Sequence, residues 1–383
     1  MTDLSPVMPP VTLDERALGR ATLARQMLLE RAALSVPDAV ERLVALQAQA
    51  PLAPYVGLWS RVEAFAPDDL AERIVDRSLV RLSLLRGTVH LATADDCCWL
   101  RPVLQPVHDR FFQSGAYAKA IVGMDLAELA SVARALVDER PRTNPELRDA
   151  LAARWPGRDA AALATVIRML LALVQVPPRG LWGQGGQATH TSAQAWLARP
   201  FDEPTPDDPA AGVDRLVLRY LAGFGPATVR DAQVWSGLTR LGEVFERLRR
   251  QLVTFEDGEG RELFDLPDAP RPNPDDTPVP VRFLPAYDNL LRSHDDRSRV
   301  LDQPARDRLA SKNDAPKPTF LVDGVVAGGW KLDRKRRQTT LTVDPFVPLT
   351  DDQLAAVTAE ASDLLTWSAP ATADANVVQI SPV

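Results

Sequence analysis

Two glutamines, Gln47 and Gln49, stand two residues apart in the stretch LQAQAP, residues 46–51. A carboxamide cannot take a proton from a reactant, but its oxygen accepts a hydrogen bond from water and its NH2 group donates to an oxygen of a bound molecule. Such a pair can therefore position reactants but cannot transfer protons. The alternative is a helix end whose glutamines satisfy unpaired carbonyl groups. The spacing alone does not decide between the two.

The element that must position this pair is an amphipathic run, residues 36–46, whose apolar residues recur at helical spacing. Residues two apart in a continuous helix point about 200° away from each other. Pro51 and Pro54 disfavour a long continuation of the helix. We therefore expect Gln47 and Gln49 to lie where this helix unwinds, with both amides free to turn toward one point.

The order of elements around the pair is repeated along the chain. Helical patterns at residues 13–33, 36–46 and 58–65, and one starting at Pro67, precede a predicted hairpin at 79–92. The order returns with helices at 126–137, 147–155 and 159–173 and a hairpin at 174–183. A third copy has helices at 216–221, from Gly225 and at 241–248, then a hairpin at 252–264. Helices closed by a hairpin are the pattern of a winged helix.

The last segment is different, with strand-like runs at 281–285, 318–332 and 338–343 and a helix at 351–367. We predict a mainly α protein with β wings: three tandem winged-helix units and a small C-terminal β-barrel-like domain. Pro-rich acidic linkers at 199–209 and 267–280 separate the units. The expected boundaries are 1–118, 119–205, 206–280 and 281–383.

Charge is distributed unevenly in this chain of net charge −7. Residues 341–383 carry six acids and no Lys or Arg, and residues 254–280 carry eight acids against two arginines. By contrast, residues 281–340 carry thirteen basic groups against eight acids. Because the acid is concentrated in two stretches, the net charge does not exclude a nucleic-acid partner.

Several classes of protein are not favoured. No apolar run approaches the roughly 18 residues of a membrane span, and residues 1–10 lack the pattern of an export signal. Cys97 and Cys98 are adjacent, and the four histidines show no metal spacing. We expect a cytoplasmic monomer with no metal and no cofactor.

The three hairpin-closed units with LQAQ in the first resemble the tandem winged-helix DNA glycosylases, the family of the azinomycin B resistance glycosylase and its crosslink-unhooking relatives. Further matches are RGTVHL at 86–91, LPAYDNLLRSHDDR at 284–297 and LVDGVVAGGWKL at 321–332. The resemblance covers nearly the whole chain. Its motif is glutamine, any residue, then glutamine or aspartate, and Gln47-Ala48-Gln49 matches the double-glutamine form.

The resemblance implies hydrolysis of the N-glycosidic bond of an alkylated purine in double-stranded DNA, chiefly N7-alkylguanine, with Gln47 and Gln49 as catalytic residues. Alkylation at N7 gives the base a positive charge, so the leaving group is already activated. The aspartate variant would add charge stabilisation that Gln49 lacks, which predicts narrower action, on good leaving groups. No lysine precedes Lys119, so the first unit lacks an amine for a Schiff base and we expect a monofunctional enzyme.

Other polar residues are candidates for contacts with the DNA backbone. Arg86 and His90 lie in the first wing, and Asn289, Arg292 and Arg297 lie in a basic loop between predicted strands. The alternatives are a solvated hairpin, and a surface turn in which neighbouring Asp295 and Asp296 pair with the arginines of the loop. The Gly-rich loop 182–190 and the basic run 334–337 are weaker candidates.

A different function class remains open, a non-enzymatic winged-helix regulator of transcription. Recognition helices of regulators carry polar and basic residues for the major groove, whereas residues 159–173 have Arg168 as their one basic residue. Residues 241–251, with three arginines, are the better candidate for such a helix. A partner-binding scaffold is the third possibility.

Overall fold

The computed structural model describes residues 11–202, 210–310, 317–335, 338–369 and 375–382, so parts of the predicted linker 199–209 and of the basic run 334–337 lie outside the described residues. Helices and three β-sheets alternate along these ranges, so the fold is mixed α/β where the sequence predicted a mainly α protein. The described helices are α1 (Glu15–Arg25), α2 (Val36–Arg42), α3 (Ala53–Trp59), α4 (Pro67–Val75), α5 (Ala94–Val103), α6 (Gln105–Phe112), α7 (Gly115–Ala120), α8 (Leu126–Glu139), α9 (Asn144–Arg154), α10 (Ala160–Leu170), α11 (Ala193–Leu197), α12 (Ala211–Phe224), α13 (Val229–Ser236), α14 (Gly242–Leu248), α15 (Gln303–Leu309) and α16 (Asp351–Ser368).

The described strands form sheets of three, five and six strands. They are β1 (Thr12–Leu13), β2 (Leu46–Gln47), β3 (Leu79–Ser83), β4 (Val89–Thr93), β5 (Arg142–Thr143), β6 (Leu173–Val176), β7 (Thr189–Ser192), β8 (Val253–Asp257), β9 (Glu262–Asp265), β10 (Arg282–Leu284), β11 (Thr319–Val322), β12 (Val325–Lys335), β13 (Gln338–Pro345) and β14 (Ala375–Ile380).

The six-stranded sheet joins the first two predicted units, because its order is β2-β4-β3-β6-β7-β5. The predicted hairpin β3–β4 is present, and Leu82 of β3 pairs with Val174 of β6. The predicted hairpin β8–β9 is also present, and β1 adds to it in parallel, with Thr12 opposite Glu256. The N-terminal strand therefore lies beside the third predicted unit.

The C-terminal sheet corrects the prediction of a β-barrel-like domain. Its strand order is β10-β11-β12-β13-β14, and no pairing joins β10 to β14 among the described residues. The sheet is therefore open. Strand β14 pairs in parallel with β13, and α16 buries Val357, Ala361 and Leu364 in the core that it shares with this sheet.

Two predicted helices end early because the backbone reverses inside the apolar run. The helix predicted at 13–33 ends at Arg25, where Met27 takes a left-handed φ of 57°. The helix predicted at 36–46 ends at Arg42, and Val44 takes a φ of 67°. A left-handed residue interrupts the helical hydrogen-bond ladder, so the chain enters β2 at Leu46.

The hairpin predicted at 174–183 also differs from the structure. Strand β6 pairs with β7 instead, and the Gly-rich stretch is the loop before β7.

All four histidines are buried, between 0% and 3% exposed. Burial lowers the pKa of His90 to about 3, of His108 to about 2, of His190 to about 4 and of His294 to about 3. The folded chain therefore keeps the rings neutral, whereas an unfolded chain protonates them as the pH falls below about 6.5. Stability is consequently lost on acidification, beginning below the ordinary histidine pKa.

We expect the free energy of unfolding to fall between pH 7.5 and pH 5.5 by about 1.4 kcal/mol per histidine, about 5 kcal/mol in all. Ordinary carboxyl groups titrate near pH 4, so they contribute little in this window. Urea unfolding at the two pH values measures the loss. The control is His190→Gln, which should reduce the pH dependence by about a quarter. A stability that does not change over this window would contradict the burial of these rings.

Candidate active site

The two glutamines lie beyond the end of α2, Gln47 in strand β2 and Gln49 in the bend that follows the strand. Gln47 pairs with His90 across β2 and β4, and the amide of Ala48 donates to the carbonyl of Val89 at 2.9 Å. Successive side chains of a strand point to opposite faces. Leu46 and Ala48, 4% and 0% exposed, face a core shared with the C-terminal sheet, and Gln47 projects from the other face.

Hydrogen bonds fix which way each amide points. Gln47 Nε2 lies 3.2 Å from the Thr88 hydroxyl, which donates its own proton to the carbonyl of Leu85 at 3.1 Å and so accepts from Gln47. The backbone N–H of Val89 donates to Gln49 Oε1 at 3.3 Å. Both glutamines thus attach to the start of β4. Gln47 keeps its oxygen for another donor, and Gln49 keeps its NH2 group for another acceptor.

The two free ends differ in exposure. Gln47 is 7% exposed, and its Oε1 is buried with no hydrogen-bond donor among the described residues. Gln49 is exposed. A buried acceptor without a donor costs about 1–3 kcal/mol, so it calls for an explanation such as a catalytic role. Because an amide oxygen accepts from water and an amide NH2 group donates to an oxygen, the pair carries the groups that can position a water molecule and an oxygen of a bound molecule.

Arg81 of β3 holds the segment between the glutamines. Its Nη2 donates to the carbonyl of Ala48 at 2.9 Å, and its Nη1 donates to the carbonyl of Arg179 at 3.1 Å. Burial and the nearby Arg179 lower the pKa of Arg81 to about 10, so it stays charged at neutral pH. Sequence reasoning missed this residue, although a lone arginine inside the apolar strand LVRLS was a signal.

Asn289 lies inside the protein at 3% exposure, where its Nδ2 donates to the carbonyl of Ala45, two residues before Gln47. It cannot reach a DNA backbone from there without a rearrangement. It positions the strand that carries the glutamines.

His90 is also internal. Its ring is fully buried, and Nδ1 donates to the carbonyl of Thr88 at 2.8 Å, which leaves Nε2 unprotonated and unpaired among the described residues. The sequence predicted a contact with DNA. The structure instead places the ring beneath the turn that holds both glutamines, with no exposed surface.

Arg86 and Arg292 lie closer to the surface. Arg86 is half-buried at the tip of the β3–β4 hairpin, in a left-handed conformation with φ 55°, and its Nη1 donates to the carbonyl of Trp235. Its Nη2 has no partner among the described residues. Burial and then the charge of Arg292 lower the pKa of Arg86 to about 10. Two arginines held near each other offer a place for an anion.

The outer part of the basic loop lines a cavity of about 470 Å3. Arg292, Arg297, Arg306 and Lys317 contribute four basic groups to it. Asp307 also lines the cavity. The neighbouring Asp295 pairs with Arg230 at 3.4 Å, and Asp296 pairs with Arg261 at 2.8 Å and with Arg306 at 3.3 Å, so both acids bind arginines from outside the loop. The loop therefore has a basic outer face in addition to its internal contacts.

Other parts of the described chain offer less. No group of three or more His, Cys, Asp or Glu there could hold a metal ion, and none of the helices described is long and apolar enough to cross a membrane. Helix α10 is core, because Leu163, Val166 and Ile167 are fully buried. Its composition counted against a recognition helix, and its burial does the same.

Comparisons with known proteins agree on one family. The family model for AlkZ-like DNA glycosylases matches residues 40–367, which include both glutamines. The interstrand DNA cross-link repair glycosylase of Streptomyces sahachiroi is 24% identical over 341 residues, 85% of this chain and 88% of that protein. The solved structure of the Streptomyces sahachiroi DNA glycosylase AlkZ has a TM-score of 0.78 at 21% identity and covers 97% of this chain and 100% of that one, which shows a shared fold. Because the family model spans most of its length, the chain belongs to the AlkZ-like family of DNA glycosylases.

Proposed function

We propose that this chain is a monofunctional glycosylase that hydrolyses the N-glycosidic bond of N7-alkylguanine in duplex DNA, including bulky adducts and interstrand crosslinks. The family gives the reaction type, and a relative is named for the repair of DNA crosslinks. The observation that carries the proposal is the buried Oε1 of Gln47, which has no donor among the described residues, while Gln49, two residues on, has its oxygen engaged by the N–H of Val89.

The chemistry suits two neutral amides. Guanine alkylated at N7 is a cation, so cleavage of the bond between N9 and C1′ gives its electron pair to the base and neutralises it. The sugar acquires oxocarbenium character, and a water oxygen bonds to C1′ while its proton passes to solvent. Gln47 Oε1 orients that water, and Gln49 donates to a sugar or phosphate oxygen. Each glutamine acts by positioning a reactant, and neither adds a charge to the site.

The same proposal includes the surface that contacts DNA. The hairpins β3–β4, β6–β7 and β8–β9, each with the helices before it, act as three winged-helix units within the expected boundaries. Arg86, Arg292 and Arg297 bind backbone phosphates, while His90 and Asn289 position the strand and the turn of the active site. The chain works as a monomer.

Strand cleavage is not part of the proposed reaction. A bifunctional glycosylase needs an amine that forms a Schiff base with C1′. The chain has five lysines, and none lies before Lys119. The site formed by β2 and β4 therefore has no amine from its own part of the chain.

Excision from a labelled duplex tests the proposal. We expect the wild-type protein to release N7-methylguanine and one bulky N7-guanine adduct, and to leave an intact strand with an abasic site that breaks only after alkali. Undamaged duplex of the same sequence is the control. Release of neither base, together with tight and sequence-selective binding of the undamaged duplex, would instead assign the protein to the regulators.

A further inference from the structure

Helix α6 carries an exposed aromatic ring at its end. Among the exposed large apolar residues of the described chain, Phe111 of α6 is the only one with a ring, and it is 40% exposed. The next residue, Phe112, is 2% exposed and packs in the core that α6 shares with α10. Helix α6 is therefore anchored by one phenylalanine and presents the other to solvent.

This ring borders the candidate active site. A methyl group placed on Gly87, at the tip of the β3–β4 hairpin, would lie 3.9 Å from a carbon of the Phe111 ring. The next residue, Thr88, accepts from Gln47, and the N–H after it donates to Gln49. The ring thus lies beside the backbone turn that holds both glutamines.

A second ring fixes the orientation of the first. Tyr117 of α7 stacks on Phe111 with ring centroids 5.3 Å apart and ring planes 26° apart. Tyr117 is itself half-buried and packs against the core of α8, α9 and α10. The Phe111 ring is therefore already held in place, so a partner that stacks on it need not order it first.

Two arginines flank this part of the surface. Arg110 precedes Phe111 and is exposed, and its Nη2 donates to the carbonyl of Gly237. Arg86, at the hairpin tip, donates to the carbonyl of Trp235 in the same short segment. The end of α13 therefore holds two cations near the ring. An exposed aromatic ring among basic side chains is the combination with which proteins bind unstacked bases and their phosphates.

We propose that the Phe111 ring stacks on the face of a base that neighbours the alkylated guanine, and so keeps the duplex unstacked at the step where Gln47 and Gln49 act. The inference rests on the proposed function and adds a residue that positions the DNA. Opening a base step costs free energy, and stacking on a protein ring offsets that cost. Every base has a flat face, so the contact does not depend on the sequence around the lesion. Two neutral amides act only by positioning, so the geometry of this step matters for the rate.

The test measures affinity for a duplex whose N7-methylguanine carries a 2′-fluoroarabino sugar, which resists hydrolysis. We expect Phe111→Ala to weaken binding about 5- to 100-fold, the size of one lost contact between a base and an aromatic ring. Phe111→Tyr keeps a ring and should bind within about threefold of wild type. Leu354 of α16 has a similar exposure, 37%, and Leu354→Ala is the matched control, which should leave the affinity unchanged.

The salt dependence of binding separates stacking from a contact with phosphate. Stacking releases no counterions, so a plot of log affinity against log salt concentration should keep its slope in Phe111→Ala. Arg292→Ala, which removes a proposed phosphate contact, should reduce the slope by about 0.9. A slope that falls as much in Phe111→Ala would overturn the stacking proposal.

A fluorescent base locates the contact. 2-Aminopurine replaces the base on one side of the lesion or on the other, and its fluorescence changes when it loses a neighbour in the stack. We expect wild type to change the fluorescence at one of the two positions, and Phe111→Ala to change it at neither. No change with wild type at both positions would count decisively against the proposal.

A second variant excludes a folding defect as the cause. Phe111→Leu keeps an apolar side chain beside Tyr117 but has no ring, so it should bind nearly as weakly as Phe111→Ala. Wild-type affinity of Phe111→Leu would show that the ring face is not needed and would refute stacking.

The sugar analogue separates this inference from the proposed function, because it reports binding alone. If wild type releases no base from ordinary N7-methylguanine but the binding results hold, the proposed catalysis fails and the stacking contact stands. If wild type releases the base, and Phe111→Ala binds and releases it equally well, the stacking contact fails and the proposed function stands.

Discussion

We expect replacement of Gln47 and Gln49 together by Ala to abolish base release, and each single replacement to lower the single-turnover rate about 100- to 1000-fold, the size seen when one positioned hydrogen-bonding group is removed. The two losses arise differently. In the proposed mechanism, Gln47→Ala removes the acceptor for the attacking water, and Gln49→Ala removes the donor to a substrate oxygen. N7-methylguanine release, with the spontaneous rate subtracted, measures both.

Two controls separate catalysis from folding and binding. Gln379 is exposed on β14, outside the segments proposed to contact DNA, and its replacement by Ala should leave the rate unchanged. DNA affinity of the Gln47 and Gln49 variants should stay within about threefold of wild type, because phosphate contacts by other residues supply most of it. Full activity of the double variant would return both glutamines to a structural role.

Thr88 and Arg81 explain why the motif needs a particular turn and strand around it. The Thr88 hydroxyl accepts from Gln47 because its proton is engaged with Leu85. Arg81 holds the carbonyl between the two glutamines. The spacing of the glutamines indicated a pair but gave a wrong reason for their convergence. A helix would separate them, whereas in the structure both amides bond to neighbouring residues, Thr88 and Val89, at the start of β4.

Local patterns predicted elements better than they predicted the joins between elements. Hairpins β3–β4 and β8–β9 and helices α4, α8 and α16 follow from periodicity and turn residues. The Leu82–Val174 pairing that joins β3 to β6 in one sheet depends on contacts between distant segments. Periodicity does not report such contacts, and it does not report whether the edge strands of a sheet meet. The predicted barrel was wrong for that reason.

Burial divides the polar site candidates into internal and outer residues. His90 and Asn289 are internal, and each donates a hydrogen bond to a backbone carbonyl, that of Thr88 and that of Ala45 respectively. Arg292 and Arg297 remain on the outer side of the same loop that holds Asn289. A sequence shows the residue types of a loop but not which side chains turn inward, since this depends on the segments packed against it.

The loop LPAYDNLL is held to the first predicted unit by a buried ion pair, and the loss of that pair should destabilise the fold strongly. Asp288 bonds both terminal nitrogens of Arg61, at 2.8 and 2.9 Å, and the two side chains are 2% and 1% exposed. Asp288→Ala leaves the Arg61 charge buried without its partner, which costs about 3–5 kcal/mol. Urea unfolding at pH 7.5 measures the loss.

The surface pair Arg73–Asp76 is the matched control, because its side chains are each 41% exposed and its charged atoms lie 2.6 Å apart. Asp76→Asn removes the charge and keeps an oxygen that accepts from the N–H and the hydroxyl of Ser78, so it should cost about 0.5 kcal/mol or less. The double replacement Arg61→Met with Asp288→Leu should recover part of the stability lost by Asp288→Ala, since it leaves no uncompensated charge. An equal, small loss for Asp288→Ala and Asp76→Asn would contradict a buried pair.

The same variant connects stability with the site. Asn289 follows Asp288 directly and holds the carbonyl of Ala45, two residues before Gln47. Where Asp288→Ala remains folded, its base release should therefore fall while its DNA affinity changes less, because the arginines on the outer side of the loop remain. Restoration of activity along with stability by the double replacement would show that the ion pair acts on catalysis through the position of β2.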